Sequence, residues 1–462
     1  MTMVTSTRLR TRFAAALSGL YGREVPAYTT LVEVSRQVNE DVLSAGGPAA
    51  GRLGGAHRVT AERHGAIRVG SPTEPAQVAR IFGAFGMTPA GFYDLRDARP
   101  EPIPVIATAF RPADPAELAQ NPFRVFTSML VPQDRRFFDA DLEQRLVRFI
   151  DQRELFCPEL LSLADRAEAE SGLEETDATR LLDLATAAFA LSADPVDRAW
   201  YHELERVSAV AADIGGVSTT HINHLTPRVL DIDDLYRRMQ ARGIEMIDQI
   251  QGPPRWNGPD VLLRQTSFRA LAEARRFREP DGSISSGDLR VRFGEVEARG
   301  IALTSRGRTL YDELLAEVDR RLADDPVAVP QQVAAQVWSE GMPHTETALH
   351  SQGLGFFTYS LTASRPAGGA PLDLAMLINT CAVTLHPIVY EDFLPQSAAG
   401  IFASNLSGNG SVDQDRGGAP RDMAWLSAAI DREVRDPNLI YQAQTDASLR
   451  ALRETLRIPD LA

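Results

Sequence analysis

The stretch "HGAIRVG", residues 64–70, followed by "EPAQVARIFGAFGM", residues 74–87, sets β-branched and small residues against a helical pattern, with a Ser-Pro turn between them. The first segment reads as a strand and the second as a helix whose apolar residues recur at three and four. Three extended stretches follow: "GFYDLRD" (91–97), "IPVIATAFRP" (103–112) and "PFRVFTSMLV" (122–131). The order is βαβββ.

From residue 218 the same order recurs. A strand "STTHINHLTPRV" (218–229) precedes a helix "DIDDLYRRMQARGI" (231–244), and the extended stretches are "DVLLRQTSFRAL" (260–271), "ARRFREP" (274–280) and "LRVRFGEVEARGI" (289–301). The chain therefore reads as α+β with duplicated βαβββ modules, their sheets curving around a shared cavity.

The expected organisation has four parts. Residues 1–136 hold an N-terminal helix, "TRLRTRFAAALSGLYG" (7–22), and the first module; residues 137–212 are a helical insertion with apolar residues at i, i+3 and i+4. Residues 213–305 form the second module. Residues 306–462 supply helices and strands that close the pocket: a helix at 307–325, extended stretches at 353–364 and 381–395, a Gly/Asn/Ser-rich loop at 404–420, and a helical tail from Trp425.

Of 462 residues, 44% are hydrophobic and 24% charged, which suits a globular chain with enough apolar surface for a large core. No apolar run reaches the roughly 18 residues needed to cross a bilayer, so no membrane role is expected. The formal charge of −14 repels phosphate backbones and argues against a nucleic-acid partner. The two cysteines, Cys157 and Cys381, form no C-x-x-C pair, so neither a disulfide framework nor a thiolate zinc site is expected, and a reducing cytoplasm fits. Nothing in the sequence sets the oligomeric state.

Of the eight histidines, His57 and His202 lie among charged residues and read as solvated, while His344, His350 and His386 read as satisfied core or loop residues. His64 and His224 stand apart because each lies in the first strand of its repeat, and equivalent strands face one another across a pseudo-twofold. His221 lies three residues before His224, so the two point to opposite faces of a regular strand and cannot both reach one inward metal. His224 shares its face with Ile222 and Thr226, and is the better candidate. A third donor is expected from the last strand of the second repeat, where Glu295 and Glu297 share a face and periodicity does not separate them.

Two imidazoles and one carboxylate form the facial set of non-haem Fe(II) oxygenases, leaving positions open for a chelating substrate and dioxygen. Zinc would take the same donors with fewer open positions. Arg68, four residues after His64, starts roughly 13 Å from it along a strand and can reach back. A metal with one carboxylate keeps net positive charge for a 2-oxoacid head group, and a guanidinium can grip a second, remote carboxylate through two hydrogen bonds. A short 2-oxo dicarboxylate fits that arrangement.

The repeated order, with "INHLTPRVLDID" and "RFGEVEARG", resembles the vicinal oxygen chelate superfamily. "FGEVEAR" looks like the F-x-E-x-x-x-R strand of the hydroxyphenylpyruvate dioxygenase and hydroxymandelate synthase branch, a resemblance that favours Glu295 as ligand. Over nearly the whole length, "ERHGAIRVG", "HINHLTPR", "LLRQTSFRAL", "RFGEVEARGIALT" and "EDFLPQSAAGIFASNL" resemble the 2-oxoadipate dioxygenase/decarboxylase family of lysine catabolism. The resemblance implies Fe(II) held by His64, His224 and Glu295, with Arg68 on the distal carboxylate of the substrate. It also implies that the "PQS" turn, Gln396 and Ser397, lines the pocket, although the family carries a small apolar residue where Gln396 stands. The implied reaction takes 2-oxoadipate and O2 to 2-hydroxyglutarate and CO2. The main rival on the same scaffold is a metal-dependent lyase, isomerase or ring-cleaving dioxygenase acting on a small oxoacid.

Overall fold

The computed structural model describes residues 3–46, 52, 54–99, 101–290, 292–362, 373–405, 413 and 416–458. The fold is mixed α+β, with several sheets wrapped by helices. Strand β1 (Arg63–Val69) leads into a helix, Thr73–Ala84, and then β2 (Thr88–Asp94), β3 (Val105–Arg111) and β4 (Arg124–Leu130). The helix stops earlier than the apolar pattern because Gly86 takes a left-handed φ of 67°, letting Met87 N donate to Phe82 O at 3.0 Å and Gly86 N to Gly83 O at 2.9 Å. Strands β2, β3 and β4 form an antiparallel meander, and β4 returns parallel to β1.

A fifth strand, β5 (His224–Pro227), completes this sheet in the order β2-β3-β4-β1-β5. It runs antiparallel to β1, with His64 opposite Thr226 and Ala66 opposite His224. This strand is shorter than the run 218–229 that its composition suggests. Beyond the helix Ile232–Ala241 come β6 (Leu263–Phe268), β7 (Glu273–Arg278), β8 (Ile284–Leu289) and β9 (Gly294–Arg299). β9 pairs antiparallel with β6 and is bridged in parallel to the end of β5, where Val229 N donates to Glu297 O at 2.8 Å.

The expected stretch 289–301 corresponds to β9, which is shorter, and β8 has no counterpart among the expected strands. "ISSGDL" has little β-propensity and alternates at the surface; its order comes from the six-residue register with β7, across a turn in which Gly282 has φ 82°. This hairpin leaves the other strands and pairs with Val196–Asp197.

Residues 137–212 are largely helical: Ala140–Asp151, Pro158–Ala169, Glu175–Ala188, Arg198–Glu205 and the start of Ala209–Gly215. The N-terminal helices Ser6–Glu24 and Pro26–Gly46 bury Phe13, Leu17, Tyr21 and Leu31 against the sheet. Phe13 stacks on Phe85 with centroids 4.5 Å apart, and Tyr21 donates to the carbonyls of Asn223 (3.1 Å) and Phe293 (2.8 Å). That phenol ties the segments preceding β5 and β9 together. Toward the C-terminus, the helix Ser305–Asp324 and the hairpin of β10 (Phe357–Leu361) with β11 (Val383–Pro387) build a further core around Trp338. Residues 406–412, 414 and 415 of the expected loop at 404–420, and residues 363–364 of the stretch 353–364, lie outside the described residues. No described helix is long and apolar enough to cross a membrane.

Candidate metal centre

The antiparallel register of β1 and β5 makes His64 and His224 diagonal neighbours on one face, and their rings meet edge to face with centroids 5.2 Å apart. Glu295, the second residue of β9, comes in from the adjoining strand. One donor atom from each of His64, His224 and Glu295 lies within 4.8 Å of the others, and all three side chains are buried. His64 Nε2 is 3.5 Å and His224 Nδ1 3.1 Å from Glu295 Oε2. Two imidazoles and a carboxylate so placed form a donor set that could hold a metal ion.

The surrounding residues fix these donors. Gln265 on β6 donates to Glu295 Oε1 at 2.5 Å, and Thr226 donates to Glu295 Oε2 at 3.4 Å. Phe293 lies nearly parallel to His224, with centroids 5.5 Å apart, and Phe393 presents its edge to His64 at 5.0 Å. Burial pushes the pKa of His224 well below the ordinary value, with His64 and Arg68 adding to the effect, so its imidazole is neutral and ready to donate a lone pair.

Glu297 shares the face of Glu295 but stands behind His64, its Oε2 2.8 Å from Nδ1. Burial opposes its ionisation, yet Arg299, His64 and Arg124 outweigh burial and bring its pKa down to about 2. The two glutamates thus have different surroundings: Glu295 meets uncharged donors from Gln265 and Thr226, whereas Glu297 is bound to arginines.

Arg68 is buried on β1 and donates to Asp213, which also accepts from Asn223 Nδ2 at 2.8 Å. His221 is buried as well but turns the other way, its Nε2 3.5 Å from Asp213 Oδ1; burial, partly offset by Asp213, lowers its pKa to about 4. His221 and His224 are thus apart, although His221 precedes β5 and the alternation of a regular strand is not what separates them. Asp213 escaped the sequence reading. The available signal was a lone carboxylate in an otherwise small and apolar helix, "AVAADIG", since a buried acid requires a partner.

Residues Gln396 and Ser397 occupy the first turn of a helix, Pro395–Asn405, rather than an isolated turn; Gln396 is exposed and Ser397 buried. The remaining described histidines are satisfied locally: His202 contacts Glu205, His344 contacts the carbonyls of Asn257 and Ser339, His350 contacts the Tyr359 hydroxyl and His386 that of Ser360. The His57 side chain lies outside the described set.

A family model described as 2-oxoadipate dioxygenase/decarboxylase matches residues 13–405. The chain belongs to this family. A 2-oxoadipate dioxygenase/decarboxylase of Mycobacterium tuberculosis H37Rv is 56% identical over 436 residues, covering 94% of this chain and 96% of the relative. A protein of the same name from Escherichia coli K12 is 39% identical over 455 residues, with 97% and 98% covered. Among solved structures, the hydroxyglutarate synthase of Pseudomonas putida in complex with 2-oxoadipate superposes with a TM-score of 0.82 at 35% identity, covering 99% of both chains. Membership of the 2-oxoadipate dioxygenase/decarboxylase family thus spans the strands that carry His64, His224 and Glu295.

Proposed function

We propose that this chain is an Fe(II)-dependent oxygenase converting 2-oxoadipate and O2 to 2-hydroxyglutarate and CO2. The observation that carries the reading is the convergence of His64, His224 and Glu295, from three strands, on one buried point. Atoms balance without a co-substrate: the 1-carboxylate leaves as CO2, one oxygen atom of O2 completes the new carboxylate at the former keto carbon, and the other becomes the hydroxyl. The names of the relatives and of the 2-oxoadipate complex support this choice of substrate.

Iron held by His64, His224 and Glu295 would supply the redox chemistry for O2 and open positions for a chelating 2-oxoacid. The chain supplies orientation. Arg68, fixed by Asp213, would bind the distal carboxylate and so decide which carbon of the aliphatic chain is hydroxylated, a positioning effect worth several kcal/mol. Phe293 and Phe393 pack against the histidines and limit access of water. Ser397 and Gln396 would contribute to the pocket wall from their helix.

In the same reading β5, its helix and β6, β7 and β9 repeat the order of β1 to β4, with β8 as an added strand, and the two copies are related by a pseudo-twofold, as in vicinal oxygen chelate folds. The four segments 1–136, 137–212, 213–305 and 306–462 are their structural units. The test is oxygen uptake and CO2 release by Fe(II)-loaded protein given 2-oxoadipate without added 2-oxoglutarate, with the product identified by chiral chromatography. One CO2 and one 2-hydroxyglutarate per O2 are expected. Turnover of 2-oxoadipate without oxygen uptake, or activity only with Zn(II), would favour a lyase or isomerase.

A further inference from the structure

Strand β9 offers two carboxylates two residues apart, and only Glu295 joins the donor group. Glu297 meets the same histidine from the opposite side of its ring: its Oε2 is 2.8 Å from His64 Nδ1, while Nε2 is turned toward Glu295 at 3.5 Å. An imidazole that donates Nδ1–H to a carboxylate has its proton committed there, leaving the Nε2 lone pair for a metal.

Glu297 is also unusually well fixed. It accepts from Arg299 Nε at 2.6 Å and Nη2 at 2.9 Å, and from Arg124 Nη1 at 3.3 Å. Arg299 is fixed in turn, because its Nη1 donates to the carbonyls of Tyr390 at 2.8 Å and Asp392 at 3.0 Å. Arg124, opposite His64 in the register of β4 with β1, donates to Glu62 and Glu391. All of these side chains are buried. Two arginines already compensate the charge of Glu297, so its contact with His64 is an addition to charge balance.

We infer that Glu297 is a positioning residue for the metal centre: its carboxylate lies 2.8 Å from His64 Nδ1 without being aligned to its N–H, and on a small rotation of the ring it would accept that proton, select the tautomer that presents Nε2 and set the orientation of the ring. The inference rests on the metal-centre reading given above. The competing role, a counter-ion for Arg299 and Arg124 alone, predicts a stability effect without an effect on the metal.

The experiment is Zn(II) titration of the wild-type chain, Glu297→Gln and Glu297→Ala, alongside thermal unfolding of the metal-free proteins. Glu297→Ala should bind Zn(II) on the order of 10- to 100-fold more weakly, with Glu297→Gln, which keeps an acceptor oxygen, in between. Unchanged Zn(II) affinity in both variants, whatever their melting temperatures, overturns the inference and leaves the counter-ion role. Nitrogen-15 histidine NMR of the Zn(II)-loaded wild type gives a second test that needs no variant. His64 with Nδ1 protonated and Nε2 on the metal is expected, and Nδ1 on the metal would refute the assignment. If the wild type takes up no Zn(II) at all, the metal-centre reading itself falls, an outcome distinct from equal affinities in wild type and variants.

Discussion

The guanidinium of Arg68 is paired with the carboxylate of Asp213, both buried, joining β1 to the helix Ala209–Gly215 at the end of the helical stretch. A substrate carboxylate reaching Arg68 would share it with an acid that is already bound. Arg68→Ala should retain the metal but lose kcat/KM for 2-oxoadipate by on the order of 10²-fold, since removing one partner of a buried charge pair costs about 2–5 kcal/mol. It also leaves Asp213 without its main cation. The double variant Arg68→Ala/Asp213→Asn should therefore regain stability in thermal melts without regaining turnover, whereas near-normal kcat/KM in Arg68→Ala would contradict the assigned role.

His221 and His224 are both buried and three residues apart, yet only His224 belongs to the donor group. His221→Ala should leave the metal content unchanged and destabilise the fold by about 1–3 kcal/mol, the usual cost of leaving a buried polar group short of a partner. Elemental analysis and denaturant unfolding check the two halves. Loss of metal in this variant would place His221 in the donor group.

Glu391 gives the protein a defined response to acid. Burial would raise its pKa, but Arg58 and Arg124 outweigh burial, with Glu62 opposing them, and hold the carboxyl below its ordinary value of 4.5. A group whose folded pKa is depressed stabilises fully above the unfolded value and loses that contribution as pH falls through the folded one. Metal-free protein should thus lose stability from about pH 4.5 downward, and Glu391→Gln should flatten that slope. The variant should also be less stable at neutral pH by about 3–5 kcal/mol, because Arg58 and Arg124 lose a buried counter-ion. Urea unfolding across pH measures both, and an unchanged slope would remove Glu391 from the account.

Much of this arrangement is legible in the sequence, for reasons specific to each element. "HGAIRVG" and the helix after it could be read because a short run with β-branched residues, closed by Gly70 and a Ser-Pro turn, differs from a segment whose apolar residues recur at three and four. "ISSGDL" could not, because its order comes from pairing with β7 rather than from an apolar face of its own. His64 and His224 were legible as first-strand residues, since the fold brings those strands side by side. Glu295 and Glu297 were inseparable by period alone. What distinguishes them is the set of groups behind each, Gln265 for one and Arg299 with Arg124 for the other, and these arrive from other strands. The partner of Arg68 was hidden for the same reason, as Asp213 comes from a helix distant in sequence.

The most direct test of the central claim is the metal content of purified Fe(II)-loaded protein and of His64→Ala, His224→Ala and Glu295→Ala, each shown to be folded by circular dichroism. One iron per chain in the wild type, and its loss in each variant, is the predicted result. Full iron retention in any folded variant would contradict a single centre built by these three side chains.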